Sequence, residues 1–398
     1  MDRQSFGKMY ATDRRGTSCL KYDFGMQRKG REDLLPLWVA DMDFKLPKEI
    51  LDDFHKRINH GVFGYTDPDE EYYAALDRWF SLRHGYHIAP EEVTIGCGVV
   101  YALATSVKAF TNEGDAVLIQ QPVYYPFREV VEDNGRRLVN NQLHYENGKY
   151  TIDFKDFEQQ IIDNDVKAFI LCSPHNPVGR VWTKDELEKI GDICIRHHVI
   201  IMADEIHCDF IYPGHKFISF MTLEDKYHEN LAVYTAPSKT FNVAGFQPSN
   251  IIIKNKMLRE KYRKANAAAG YSQGNIMAQV AVKSVYTKGD QWVDALIGYL
   301  TDNMEYMREF IKTNLPKAHF VDPEGTYLTW VDFSAYGFTN EELEHIILDE
   351  AKLWLDSGRV FGPATAQFER FNIACSRETL EQAMKQLKHA IDHHEKWL

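Results

Sequence analysis

Short apolar runs alternate with amphipathic stretches along most of this chain. "EVTIGCG", "DAVLIQQP", "VKAFILCSP", "HVIIMADE", "LAVYTAPS" and "SNIIIKN" are nearly unbroken apolar segments bounded by polar or turn residues. Runs of that kind suit strands buried on both faces of a sheet. Between them, "VVYALATSVKAF" repeats Val100, Leu103, Val107 and Phe110 at spacings of three and four, which predicts a helix. "TKDELEKIGDICIRHH" starts another, with Thr183 and Glu186 placed as a capping box. Strand and helix in alternation predict an α/β domain with a mostly parallel sheet over residues 47–288. After residue 288 the pattern changes. "DQWVDALIGYLTDNMEYMREFIKTNLP" reads as one long helix stopped by Pro316. A strand ("GTYLTWVDF"), a helix capped by Thr339 with Glu342, a strand ("ERFNIACS") and a final helix follow. They predict a smaller α+β domain over residues 289–398. Residues 1–46 form an N-terminal segment expected to pack with it.

Composition narrows the class. The 398 residues exceed what one core usually holds, and 44% apolar with 26% charged residues is an ordinary globular balance. No apolar run approaches the ~18 residues a membrane span needs, and the first residues, "MDRQSFGKMYATDRRG", hold no apolar stretch that could act as a signal. A cytoplasmic protein is expected. The net charge is -12 and no Lys/Arg cluster stands out, so neither nucleic acid nor membrane is an expected partner. "REKYRKAN" alternates charges as a solvated helix face does. The six cysteines show no CxxC and read as reduced thiols. The pairs His197-His198 and His393-His394 are adjacent, so on a helix they diverge, and no HExxH occurs; no metal site is expected.

In an open α/β sheet, ligands bind beyond the carboxyl ends of the strands. Gly96-Cys97-Gly98-Val99-Val100 follows the first run, and Pro122-Val123-Tyr124-Tyr125-Pro126 the second. Ser173-Pro174-His175-Asn176-Pro177, Asp204-Glu205-Ile206-His207 and Ala236-Pro237-Ser238-Lys239 follow the next three. That row offers a glycine turn, an aromatic ring, an amide, a carboxylate and an amine. It could wrap a flat, phosphorylated, electron-poor ring bearing an aldehyde.

With "LPLWVADMDF", "VFGYTDP", "GVVYAL", "QPVYYPF", "CSPHNPVGRVW", "DEIHCDF", "APSKTFNVAGFQ" and "EGTYLTWVDF" in order, the chain resembles the fold-type I pyridoxal 5'-phosphate (PLP) enzymes of the class I/II aminotransferase superfamily. Within them it is most similar to the cystathionine β-lyase-like, carbon–sulfur lyase branch. The resemblance covers nearly the whole chain. It implies a large domain with a mostly parallel seven-stranded sheet flanked by helices, and a smaller α+β C-terminal domain.

The resemblance also implies roles. Lys239 would bind the PLP aldehyde covalently and then remove the substrate's α-proton, both of which need an amine of lowered pKa. Asp204 would pair with the pyridine nitrogen; taken alone, it reads equally as a helix N-cap. His207 would stand near the ring oxygen, where many relatives carry tyrosine, with a structural histidine as the competing reading. Asn176 would donate to that oxygen, or merely shape the turn before Pro177. Tyr124 would stack on the ring, or belong to the core. The Val99 and Val100 amides, behind Gly98, would receive the phosphate, with Ser238 adding a hydroxyl. Many relatives place an arginine after the lysine; here Gln247 stands in "GFQPSN", as in the lyase branch. Tyr65 would reach the phosphate of a neighbouring subunit, which implies a homodimer with shared sites. Arg370 would grip the substrate α-carboxylate with its planar fork, although "FGPATAQFE" before it lacks a glycine often seen in the family. The backbone of Ala40 is expected to touch substrate. Arg377, at a helix start, is expected to make structural contacts.

The implied reaction is β-elimination from L-cystathionine or a related L-cysteine conjugate, giving a thiol, pyruvate and ammonia. An aminotransferase acting on a hydrophobic or aromatic amino acid would use the same residues. A PLP-binding regulatory or interaction protein is a third reading, for which the pair Lys239 and Asp204 has no evident use.

Overall fold

The structure is a computed structural model that describes residues 3–395. Its central sheet has seven strands: β1 (Val93–Cys97), β2 (Ala116–Ile119), β3 (Arg137–Asn140), β4 (Val166–Cys172), β5 (Ile200–Asp204), β6 (Leu231–Thr235) and β7 (Pro248–Ile252). They lie in the order β1-β7-β6-β5-β4-β2-β3. Strand β7 runs antiparallel to both its neighbours, and all the other pairs are parallel. Every residue of β2, β6 and β7 is buried. Helices cover both faces of this sheet, which is why its strands read as continuous apolar runs instead of alternating ones. The edge strand β3, "RLVN", is half exposed and has no such run.

Helices α1 (Arg3–Tyr10), α2 (Gly25–Lys29), α3 (Val99–Phe110) and α4 (Asp290–Asn314) place the parts that matter to the site. Gly98, at φ +84°, turns the chain from β1 into α3, a backbone state that costs glycine nothing. Helix α4 runs 25 residues and ends just before Pro316, where the proline ring cannot continue it. Beyond it, β8 (His319–Val321), β9 (Leu328–Asp332), β10 (Asp356–Ser357) and β11 (Phe368–Asn372) form an antiparallel sheet in the order β8-β9-β11-β10. Its register sets Arg370 opposite both Trp330 and Asp356.

The N-terminal segment touches both parts of the molecule. Phe6 packs its ring 5.6 Å from that of Tyr299 and 5.7 Å from that of Trp292, both on α4. Leu35–Pro36 pairs in parallel with Leu353–Trp354. Farther along, the Met42 amide donates to Asn242 Oδ1 at 2.9 Å and its carbonyl accepts from Asn242 Nδ2 at 2.7 Å. Asn242 lies three residues beyond Lys239, so the segment reaches the edge of the large sheet. No described helix is long and apolar enough to cross a membrane.

One buried carboxylate ties the segment down. Asp43 accepts from Lys21 Nζ at 2.8 Å, from the Tyr22 hydroxyl at 2.7 Å and from Arg14 Nη1 at 3.4 Å. The Lys21 side chain has no exposed surface. Removing one member of a buried pair leaves an uncompensated charge, typically costing about 3–5 kcal/mol. Asp43→Ala is therefore expected to lower the thermal unfolding midpoint by several degrees. Lys21→Met combined with Asp43→Leu should recover part of that loss.

Candidate active site

Adjacent strands β4, β5 and β6 deliver Asn176, Asp204 and Lys239 to one edge of the sheet, and β1 delivers the first turn of α3 beside them. A cavity of about 240 Å³ opens there. Ala40, Val99, Val100, Tyr124, Asn176, Asp204, His207, Ser238 and Lys239 all line it, together with Cys97, Cys172 and Gln247.

Lys239 keeps part of its surface open to the cavity, while the surrounding protein shields it from bulk water. Its Nζ donates to the Ala40 carbonyl at 2.7 Å. Burial lowers its pKa to about 8, Arg370 pushes in the same direction, and Asp41 and Asp204 pull it back. Asp204 is 5% exposed. Its Oδ1 accepts the Ile206 amide at 3.1 Å, and no cation among the described residues pairs with it. Burial therefore raises it to about 7, against the opposing pull of that amide and of Lys239. His207 is buried with Nδ1 unpartnered, and burial with the nearby cations holds its pKa well below the usual histidine range. It is thus neutral at pH 7.

Asn176 Oδ1 accepts from Arg370 Nη1 at 3.0 Å, and its carbonyl accepts the Tyr124 amide at 3.0 Å. The Tyr124 hydroxyl is kept protonated, chiefly by burial. The Val99, Val100 and Tyr101 amides precede the first intrahelical bond of α3, from the Ala102 amide to the Gly98 carbonyl at 3.1 Å. These are orphan donors of a helix start, which favour an anion. Nothing lies within 4 Å of where a Gly98 side chain would begin. Gln247 accepts from the Cys97 thiol at 3.0 Å through Oε1.

Two expected residues do not line this cavity. Tyr65 is 96% exposed, on the loop before the helix Glu70–His84. Arg370 is buried behind Asn176, where Nη2 donates to the Trp38 carbonyl at 2.8 Å and to Asp356, while Nε has no partner. Arg377 donates to Asn303 Oδ1 at 3.0 Å and covers the Tyr306 ring. Sequence reasoning assigned nothing to Tyr327, whose hydroxyl donates to the Ala40 carbonyl at 2.9 Å beside Lys239. Nor did it find Asp356, the acid that balances Arg370. Tyr327 lies within "EGTYLTWVDF", but no spacing marks it. Asp356 shares only strand register with Arg370. The cluster His84, Cys208 and Asp209 could suggest a metal. The Asp209 carboxylate is already engaged there by Trp79, His84 and Thr240.

The residues fit a phosphorylated pyridine aldehyde. The Asp204 carboxylate, which has no cationic partner among the described residues, suits a protonated ring nitrogen, the α3 amides above the open Gly98 suit a phosphate, and Lys239 offers the amine. An α/β sheet carrying a buried amine and a buried unpaired acid at its carboxyl edge defines a cofactor-dependent enzyme. The chain belongs to the aminotransferase class I and II family, whose profile matches residues 32–387. It is 42% identical over 379 residues to cystathionine β-lyase PatB of Bacillus subtilis, covering 95% of this chain and 98% of that protein. It is 32% identical to protein MalY of Escherichia coli, covering 95% and 97%. Among solved structures, cystalysin of Treponema denticola, which contains pyridoxal 5'-phosphate, superposes with a TM-score of 0.93 at 35% identity over 96% of this chain and 98% of that one. The PLP-bound C–S lyase of Staphylococcus hominis gives 0.88 at 32% identity, over 96% of each.

The raised Asp204 pKa has a consequence for the cofactor-free protein. Between the unfolded value of 3.8 and the folded value of about 7, the folded chain holds a proton that the unfolded chain has lost. Stability therefore falls as pH rises through that window and levels off above it, by up to ~4 kcal/mol. Asp204→Asn should flatten this component in pH-dependent denaturant unfolding. The part due to Glu205, which burial raises to about 8, should remain.

Proposed function

We propose that this protein is a PLP-dependent carbon–sulfur β-lyase that cleaves L-cystathionine or related L-cysteine S-conjugates. The observation that carries the reading is the lysine–acid pair, Lys239 and Asp204, in one cavity of a chain 42% identical to a cystathionine β-lyase. The overall change is elimination followed by hydrolysis. The Cβ–S bond breaks, the sulfur leaves as a thiol, and one water releases the three-carbon remainder as pyruvate and ammonia.

PLP, when bound, supplies an aldehyde that captures amines and a ring that accepts negative charge from the substrate α-carbon. The chain's own residues do the rest. Asp204 holds its charge against the ring nitrogen, a pairing that offsets the cost of its burial. Orphan amides at Val99 and Val100, with Ser238, would hold the phosphate. Asn176 and His207 would flank the ring edge and Tyr124 would cover its face. Lys239, with a pKa of about 8, is partly neutral near physiological pH, as needed both to capture an aldehyde and to take a proton from carbon. The proton it takes stays on Nζ, available to the departing sulfur, while Ala40 and Tyr327 fix where that amine rests. Arg370, whose buried Nε has no partner, is assigned the α-carboxylate, and the Ala40 amide has no acceptor among the described residues.

The exposed Tyr65 supports a homodimer in which each copy lends this hydroxyl to the other's phosphate site. The absence of any described membrane-crossing helix is consistent with a cytoplasmic enzyme.

Two outcomes are expected. Lys239→Ala should abolish release of both pyruvate and thiol from L-cystathionine, by at least ~10³-fold, with the visible absorption of the loaded protein altered. Wild-type turnover that requires a ketoacid and releases no ammonia would instead mark an aminotransferase. Mixing Lys239→Ala with Tyr65→Ala, each inactive alone, should restore about a quarter of wild-type activity, since half the random dimers then hold one intact site. Tyr65→Ala retaining full activity would remove the shared-site proposal.

A further inference from the structure

Helix α2 carries two cations, one of them over the Trp38 ring. Arg28 and Lys29 are exposed on the last turn of α2. Among the described residues, neither side chain makes a hydrogen bond or an ion pair. Their neighbour Arg31 is fully engaged, by Asp33 through Nε at 2.8 Å and by Asp349 through Nη1 at 2.5 Å. The Arg28 guanidinium instead lies 5.7 Å from the Trp38 ring. That ring stacks on Trp354, with centroids 4.4 Å apart and planes 8° from parallel. The Trp38 carbonyl accepts from Arg370 at 2.8 Å, and Arg370 in turn holds Asn176 at the cavity wall. Three contacts thus join Arg28 to the cavity.

The charge environment agrees. Tyr125, whose ring lies 5.4 Å from that of Tyr124, feels Arg28 as well as Arg370, Asp356 and Glu129. Lys29 acts on Asp356 and on the buried Glu369. Both cations are therefore felt at the wall where Arg370 stands, and neither has an ion-pair partner among the described residues. Cations on a last turn also suit a helix dipole. A five-residue helix has little dipole to offer, and it gives no reason for Arg28 to lie over Trp38.

We propose that Arg28 and Lys29 form a cationic lip that recognises a carboxylate on the leaving-group arm of the substrate. The inference rests on the lyase reading and refines it. The preferred class is L-cysteine conjugates whose sulfur substituent ends in a carboxylate, of which L-cystathionine is one. With Arg370 assigned to the α-carboxylate, the proposal directs the sulfur substituent toward α2. Contact with Trp38 limits the freedom of the Arg28 side chain before binding, so less order is lost on forming a charge-assisted bond.

The test compares S-(2-carboxyethyl)-L-cysteine with its neutral isostere S-(2-carbamoylethyl)-L-cysteine, using the PLP-loaded wild type and the double variant Arg28→Gln, Lys29→Gln. Neither residue lies in the catalytic machinery. The expected result is a roughly five- to tenfold fall in kcat/KM for the carboxylate substrate, carried by KM. The carbamoyl substrate should change less than about twofold, and the wild-type preference should shrink as salt is raised. Calorimetry with L-2-aminopimelate, the carbon isostere that cannot be cleaved, should show a matching rise in Kd. Equal effects on the two substrates, or none, would overturn the lip while leaving the lyase intact. A wild type that releases pyruvate from neither substrate would overturn the lyase reading and the lip with it.

Discussion

Lys239 and Asp204 are taken out of water in the same cavity, and each is pushed by burial toward its neutral form. The amine falls to about 8 and the carboxyl rises to about 7. An exposed lysine would stay charged and an exposed aspartate would already be paired with solvent. The fold keeps both groups poorly satisfied, at a cost in stability, because β5 and β6 are adjacent parallel strands that end side by side. A ligand with a basic ring nitrogen and an amine-reactive carbonyl would relieve both groups at once. Binding and folding are coupled for that reason: whatever satisfies Asp204 also stabilises the chain.

The site depends on parts distant in sequence. Ala40 comes from the N-terminal segment, Lys239 from the loop after β6 and Tyr327 from the residue before β9, yet the lysine amine and the tyrosine hydroxyl share the Ala40 carbonyl. Arg370 comes from β11 and holds both Asn176 and the Trp38 carbonyl. The N-terminal segment therefore acts as a strap between the large sheet and the C-terminal sheet. Its buried network around Asp43 fixes the strap where Ala40 must sit.

Much of this was legible in the residues. The strands β1, β2, β4, β5, β6 and β7 announced themselves as apolar runs, because helices on both faces leave no polar side to alternate. The edge strand β3 did not, being short and half exposed. That β7 runs antiparallel is invisible to a pattern that carries no direction. "REKYRKAN" does lie on a helix, Lys256–Ala268, but Tyr262 and Asn266 bury one side of it. At the site, residues that follow a strand could be found by position, and nine of those expected line a single cavity. Contacts made across the fold could not. Nothing in "LDSGRV" marks Asp356 as the partner of Arg370, and nothing near Arg28 marks its place over Trp38.

On the proposed reading one amine, Lys239 Nζ, carries the cofactor. Borohydride reduction of the PLP-loaded protein, followed by digestion and mass mapping of the peptides, tests it directly. The reduced cofactor should be found on the peptide containing Lys239 and on no other in stoichiometric amount. Attachment at a different lysine, or no attachment in a protein that still turns over, would contradict it.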